Sequence, residues 1–191
     1  MAINWEKGNE RKSINNANIQ ILDDLIDPDL IKSMHHEYAH NYYWQYGHHG
    51  SDDAPRFFVA QHNINGGKIF NCPFQIYLKT KIEDELNCKF TYIDDIYLNG
   101  QTKGFDGGEH IDVLPSDKKA LEKITVLYMV NHEHTETIGN FHCAGQEIKF
   151  KPGRVVLFPS VMQHEGKAPT NNHLRITLAW KACDISFAET K

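Results

Sequence analysis

From residue 88 onward the chain is written in short runs of strand-forming residues separated by turn residues, and no other feature constrains the fold as tightly. FTYIDDIYLNG (90–100) alternates aromatic or β-branched residues with polar ones, the period of a half-buried strand. ITVLYMVN (124–131) is a continuous apolar run of strand length, as expected of a strand buried on both faces. EIKF (147–150), RVVLFPS (154–160) and LRITLAWKA (174–182) come after it, punctuated by Gly, Pro and Asn. Short strands with this punctuation predict an antiparallel sandwich or jelly roll. The first half reads differently. Leu30, Ile31, Met34 and Tyr38 recur at helical spacing behind Asp27 and Pro28, an N-cap and first-turn pair. A second helix is expected over about 73–87, again opened by a proline. The predicted class is therefore α+β and mainly β, a jelly roll carried on N-terminal helices.

No internal repeat or low-complexity linker divides the 191 residues, so a single domain is expected over 1–191. Residues 1–90 would supply helical support and substrate-side elements, and residues 91–185 the β core with the active site. The net charge of −5, without a basic run, argues against a grip on phosphate backbones and makes nucleic acid an unlikely partner. Four scattered cysteines (72, 88, 143 and 183) form no C-x-x-C pair, which points to a reducing compartment. The polar N-terminus lacks the apolar core of a signal peptide, and no apolar run approaches the ~20 residues of a membrane span. A cytoplasmic protein without a membrane partner is the expectation. Histidine is enriched, at 12 residues.

The chemistry gathers around GGEHIDVLP. Two residues apart on a strand, His110 and Asp112 would face the same way, offering an imidazole and a carboxylate to one ion. His164, just beyond the apolar run ended by Pro159, is the best third ligand; its separation of 52 positions from Asp112 leaves room for strands to return. Two histidines and one carboxylate on one side of a metal leave the other side open, as in non-haem Fe(II) oxygenases. Arg175 lies 11 residues after His164 and opens an apolar strand, with Thr177 facing the same way. An arginine fork suits a carboxylate, and an unpaired guanidinium among apolar residues is costly.

In that order, H-x-D, a distal histidine and R-x-T resemble the 2-oxoglutarate/Fe(II) dioxygenase superfamily, and residues 92–181 its prolyl-4-hydroxylase-like branch. The stretches concerned are YLNGQTKGFDGGEHID, ITVLYMVN, KPGRVVLFPSVMQHEGKAP and LRITLAWK. The resemblance implies a double-stranded β-helix with helices packed on one sheet. It implies Fe(II) held by His110, Asp112 and His164, 2-oxoglutarate as cosubstrate with its distal carboxylate on Arg175, and O2 as oxidant. Thr177 and Tyr97 are expected to help hold the cosubstrate, with Tyr128 a looser match; either tyrosine is also readable as core, Tyr128 more readily than Tyr97. Many prolyl hydroxylases carry lysine at the place of Arg175, so the substrate, a peptide or a small molecule, stays open.

Other constellations compete. NHEHTET offers His132, His134 and Glu136, with His142 beyond, as a cupin-like metal site, or simply as a polar hairpin loop. GQTKGFDGGEH is glycine-rich, but it contains no Gly-Lys-Ser/Thr and leads toward a strand, so it reads as the loop positioning His110. Residues 42–58, aromatic and His-rich, read either as a substrate lid or as packing of Trp44 and its tyrosines on the β core.

Overall fold

The computed structural model describes residues 19–50, 52–61, 72–117, 119–133 and 136–187. Eleven strands and two α-helices order this region. α1 spans Pro28–His40 and starts where Asp27 accepts hydrogen bonds from the backbone N–H groups of Asp29 (2.9 Å) and Leu30 (3.4 Å). α2 spans Pro73–Leu86 and ends on Asn87, whose φ of 50° is a left-handed cap.

Around the helices lies an antiparallel sheet in the order β1 (Gln20–Leu22), β9 (Val155–Pro159), β6 (Ile124–Met129), β11 (Arg175–Phe187), β5 (Asp95–Gln101), β3 (Phe57–Gln61) and β2 (Gln45–His48). β4 (Cys88–Tyr92) pairs with the far end of β11. A smaller sheet runs β10 (His164–Gly166), β7 (Phe141–Cys143), β8 (Gln146–Ile148). The chain thus has the jelly-roll, double-stranded β-helix architecture, mostly β with helices on one face.

The strand period sorts the large sheet into two faces. Ile176, Leu178 and Trp180 of β11, with Val126 and Tyr128 of β6, pack against Tyr38, Leu78 and Ile82 of the helices. Their neighbours Leu127, Met129, Val156, Phe158 and Ala179 face inward onto Phe141 and Ile148 of the small sheet. The functional side chains of the large sheet sit on this inner face. Full burial of each such apolar side chain contributes about 1.5–3 kcal/mol. A bulge interrupts β11: its register against β6 shifts between Trp180 and Cys183, and Ala182 takes a φ of 49°.

The N-terminal half is less purely helical than its sequence suggests. β1 adds to the sheet edge beside β9, and β2 and β3 form a hairpin beside β5. The run read as one strand over 90–100 is two, because β4 pairs beyond the β11 bulge and β5 before it. Trp44 packs beside the hairpin: its indole N–H donates to the Tyr38 carbonyl at 3.2 Å, and its ring fills the space a side chain at Gly100 would need. Tyr43 and Tyr46 are exposed. Among the described residues no helix is long and apolar enough to cross a membrane, and the four cysteines are free thiols.

Candidate metal centre and cosubstrate cavity

His110 and Asp112 do not lie on a regular strand, contrary to the two-residue alternation expected of them. They lie on an irregular segment that runs antiparallel to residues 160–166. Gly107 N–H donates to the Gly166 carbonyl (2.9 Å), His110 and His164 exchange backbone bonds (3.0 and 2.9 Å), and Asp112 N–H reaches Ser160 O (2.9 Å). His164 opens β10. This pairing brings one ligand atom from each of His110, Asp112 and His164 within 4.8 Å of the others.

Hydrogen bonding sets the imidazoles for a cation. Nδ1 of His110 lies 2.9 Å from the Gly108 carbonyl, and Nδ1 of His164 lies 2.9 Å from the Met162 carbonyl. A carbonyl only accepts, so each Nδ1 carries the proton and each Nε2 presents a lone pair. Burial, opposed by Asp112, holds His164 below its ordinary pKa, which preserves that lone pair. Those Nε2 atoms face a carboxylate: His110 Nε2 is 3.8 Å from Asp112 Oδ1, and His164 Nε2 is 3.5 Å from Oδ2. The Asp112 side chain is fully buried and accepts from Thr125 Oγ1 at 2.6 Å. Two lone pairs and an anion converging without an intervening proton repel one another, and a divalent cation resolves the conflict. Nitrogen and oxygen donors of this kind suit Fe(II).

One further cation is near. Lys181 Nζ lies 2.8 Å from Asp112 Oδ1 and 4.9 Å from the Tyr97 ring centre, and burial pushes its pKa down to about 8. Lys181 continues the inward face of β11 begun by Arg175, Thr177 and Ala179, and that period-two pattern was the available signal for it.

Arg175 lies in the wall of the same cavity, of about 50 Å³, as the three ligands. It is 1% exposed, and burial lowers its pKa to about 10, so it remains a guanidinium at neutral pH. Nη1 donates to Gln101 Oε1 at 2.5 Å and Nε to the Gly139 carbonyl at 3.3 Å, while the guanidinium carbon sits 5.7 Å from the Phe150 ring centre. Nη2 is buried without a partner. An unsatisfied donor on a desolvated charge, in the wall of a cavity that ends at a metal-ready triad, fits the distal carboxylate of a 2-oxo acid. Gly139 has the positive φ of 92°, and a side chain there would collide with the Lys167 carbonyl. Asn131 brackets the arginine: its side chain accepts from Ile176 N–H (2.7 Å) and donates to Leu174 O (2.8 Å).

Thr177 and Tyr97 line the cavity, and so do Asn99 and Gln101, whose alternation with Tyr97 along YLNGQ was the available signal. Tyr128 does not join them. It sits on the opposite face of β6, its ring 5.4 Å from Phe74 of α2, because one residue along a strand reverses the face. Among the described residues, the competing set of His132, Glu136 and His142 does not meet at one point. His142 lies on β7 with Nδ1 3.9 Å from Glu165 and Glu136 is exposed; His134 lies outside the described residues. His132 meets His35 of α1 instead. The 42–58 segment runs against the H-x-D segment: Gly50 N–H donates to Gly107 O at 3.1 Å, and a side chain there would strike His110 Nδ1 at 2.6 Å.

No family model matches the chain, and no curated protein does. Solved structures of similar fold include prolyl hydroxylases and a 2OG-Fe(II) oxygenase. A viral collagen prolyl hydroxylase from Paramecium bursaria Chlorella virus-1, solved as a 2-oxoglutarate complex, is 12% identical with a TM-score of 0.57, covering 88% of this chain and 97% of that one. A prolyl hydroxylase from Trichoplax adhaerens, in complex with a hypoxia-inducible-factor peptide fragment, is 17% identical with a TM-score of 0.59, covering 86% and 83%. An oxidoreductase of the 2OG-Fe(II) oxygenase family from Burkholderia pseudomallei is 15% identical with a TM-score of 0.58, covering 88% and 84%. At these identities the likeness establishes the fold.

Proposed function

We propose that the protein is an Fe(II)- and 2-oxoglutarate-dependent dioxygenase that hydroxylates a C–H bond of its substrate. The observation that carries this reading is one cavity holding two opposed demands: a His110–Asp112–His164 triad prepared for a cation, and a buried Arg175 with a donor lacking an anion. His110 and His164 hold the metal through Nε2 and Asp112 through its carboxylate, with Thr125 orienting that carboxylate. Arg175 binds the far carboxylate of 2-oxoglutarate, with Thr177 and Tyr97 beside it. Iron, 2-oxoglutarate and O2 together supply the oxidation, in which the 2-oxo acid loses CO2 to become succinate and the substrate gains a hydroxyl. The apolar wall of Leu127, Phe141 and Phe158 excludes water from that reaction.

The chain works as a single domain, residues 91–185 carrying the site and the N-terminal half covering and supporting it. Free cysteines support a reducing, cytoplasmic setting. The peptide bound by the Trichoplax neighbour supports a peptide as the first substrate class to test. The decisive experiment supplies Fe(II), 2-oxoglutarate and O2 and measures succinate, alone and with proline-containing peptides. Fe(II)-dependent succinate that disappears in His110→Ala is expected. Absence of any Fe(II)-dependent turnover with a properly folded, iron-loaded protein and a broad peptide and amino-acid panel overturns the assignment.

A further inference from the structure

A second set of ligating side chains meets outside the cavity, where α1 touches the loop after β6. His35 and His132, 97 residues apart in the chain, bring their Nδ1 atoms to 2.6 Å, with ring centres 4.8 Å apart and planes tilted by 59°. Glu133 stands beside them, Oε2 4.0 Å from His132 Nε2. One ligand atom from each of the three lies within 4.8 Å of the other two. We propose that His35, His132 and Glu133 form a second divalent-metal site, suited to a borderline transition ion such as Zn²⁺, Ni²⁺ or Cu²⁺.

The chemistry comes from the nitrogens. Two ring nitrogens at 2.6 Å have room for one proton between them, so at least one offers a bare lone pair to the gap. A neutral imidazole carries one lone pair in either tautomer, so an ion that takes the gap receives a lone pair from each Nδ1 once the shared proton has moved to the outer nitrogen of its ring, Nε2. Such an ion needs somewhat more room than a proton, and the rings open by a fraction of an ångström to admit it; the exposed Glu133 side chain, whose Oε2 stands nearest His132 Nε2, swings round to add its carboxylate. Two imidazoles and one carboxylate form a donor set that these ions favour, and the solvent side leaves positions for water.

The scaffold around the pair is held before any ion arrives, which lowers the ordering cost of binding. His35 sits on the turn of α1 whose neighbours Ile31, Met34 and Tyr38 are packed in the helix-side core. His132 comes directly after Asn131, which is 2% exposed and bonded to the backbone on both sides of Arg175, at Leu174 and Ile176. Asn131 Nδ2 also lies 3.4 Å from His35 Nε2; that contact opens when Nε2 takes the proton, while the two backbone bonds of Asn131 stay in place. The two sites use separate elements, so this inference stands independently of the oxygenase reading.

The test is Zn²⁺ binding to the full chain in which His110→Ala and Asp112→Ala have removed the first site, read by isothermal titration and by competition with a chromogenic chelator. One equivalent per chain is expected to remain. His132→Ala in that background should abolish it, and Glu133→Gln, at a position whose side chain is 56% exposed, should weaken it at least tenfold while leaving the melting temperature without metal unchanged. Zn²⁺ should raise the melting temperature of the variant lacking the first site and not that of its His132→Ala derivative. Two results overturn the proposal: no zinc retained once the first site is removed, or retained zinc whose affinity is indifferent to both His132→Ala and Glu133→Gln.

Discussion

Replacing Arg175 separates the cosubstrate role from the metal role, and the structure sets the size of the effect. The side chain carries a buried charge, spends Nη1 on Gln101 and Nε on Gly139, and keeps Nη2 for the cavity. In Arg175→Ala a bound 2-oxoglutarate leaves its distal carboxylate buried without a counter-charge, a loss of about 3–5 kcal/mol. At 1.4 kcal/mol per tenfold, that is roughly 10²- to 4 × 10³-fold in Kd. Arg175→Lys retains the charge but loses the fork that also binds Gln101 and Gly139. The cost is that of one charged hydrogen bond, about 1.5–3 kcal/mol, or roughly 10–150-fold. The assay is anaerobic calorimetric titration of 2-oxoglutarate into Fe(II)-loaded protein, with bound iron measured in parallel. Wild type should bind tightest, lysine next and alanine weakest, all three retaining iron. Unchanged 2-oxoglutarate affinity in Arg175→Ala, or loss of its iron, refutes the placement of the cosubstrate.

Asn131→Ala removes both backbone bonds that bracket Arg175; it should cost about 2–3 kcal/mol of stability in chemical denaturation and weaken 2-oxoglutarate binding without touching the cavity. Lys181→Met deletes the ammonium 2.8 Å from Asp112 Oδ1 and should tighten divalent-metal binding by about tenfold, since a competing cation is gone, measured as metal Kd. Weaker binding would mean the lysine instead props the carboxylate in place. Glu83 gives the pH arm. Burial raises its pKa, but Lys79, the Phe90 N–H and Lys89 together bring it below the ordinary carboxylate value. A depressed folded-state pKa stabilises above the unfolded value, and that stability is lost as pH falls through the folded one. The melting temperature of wild type should therefore drop more steeply than that of Glu83→Gln as pH is lowered from about 5 toward 3, and parallel slopes would contradict the role of this cluster.

The features legible in the sequence are those encoded locally. Asp27 and Pro28 announce α1 because a cap and a fixed φ act within one turn. The apolar runs of β6, β9 and β11 show because burial on both faces needs no partner's identity. β1 has three residues, too few for any period to register, and β2 lies in a stretch of aromatic and histidine side chains that suits a lid as well as a strand. Of the site, the order H-x-D, H, R-x-T is visible in one dimension, and the fold brings those residues to one cavity. Strand alternation puts Gln101 and Lys181 on the inner face, but what they and Asn131 bind is not visible, since each acts by reaching a residue far along the chain. Tyr128 shows the opposite difficulty: one step of strand register decides its face, and composition is blind to that step.

The β11 bulge gives this protein a parity rule. From Arg175 to Lys181 odd-numbered residues face the chemistry and even-numbered ones the helices; past Ala182 the helix-side core takes Cys183, an odd position. Lys181 is therefore the last inward residue of the strand, and the wall of the cavity ends where the backbone takes its left-handed step. Deleting one residue upstream of the bulge would exchange the two faces and move Arg175, Thr177 or Lys181 into oil; deleting Ala182 would leave them in place and misalign only the stretch from Cys183 to Phe187. A scan of single deletions along this strand would thus trace where function stops and scaffold begins.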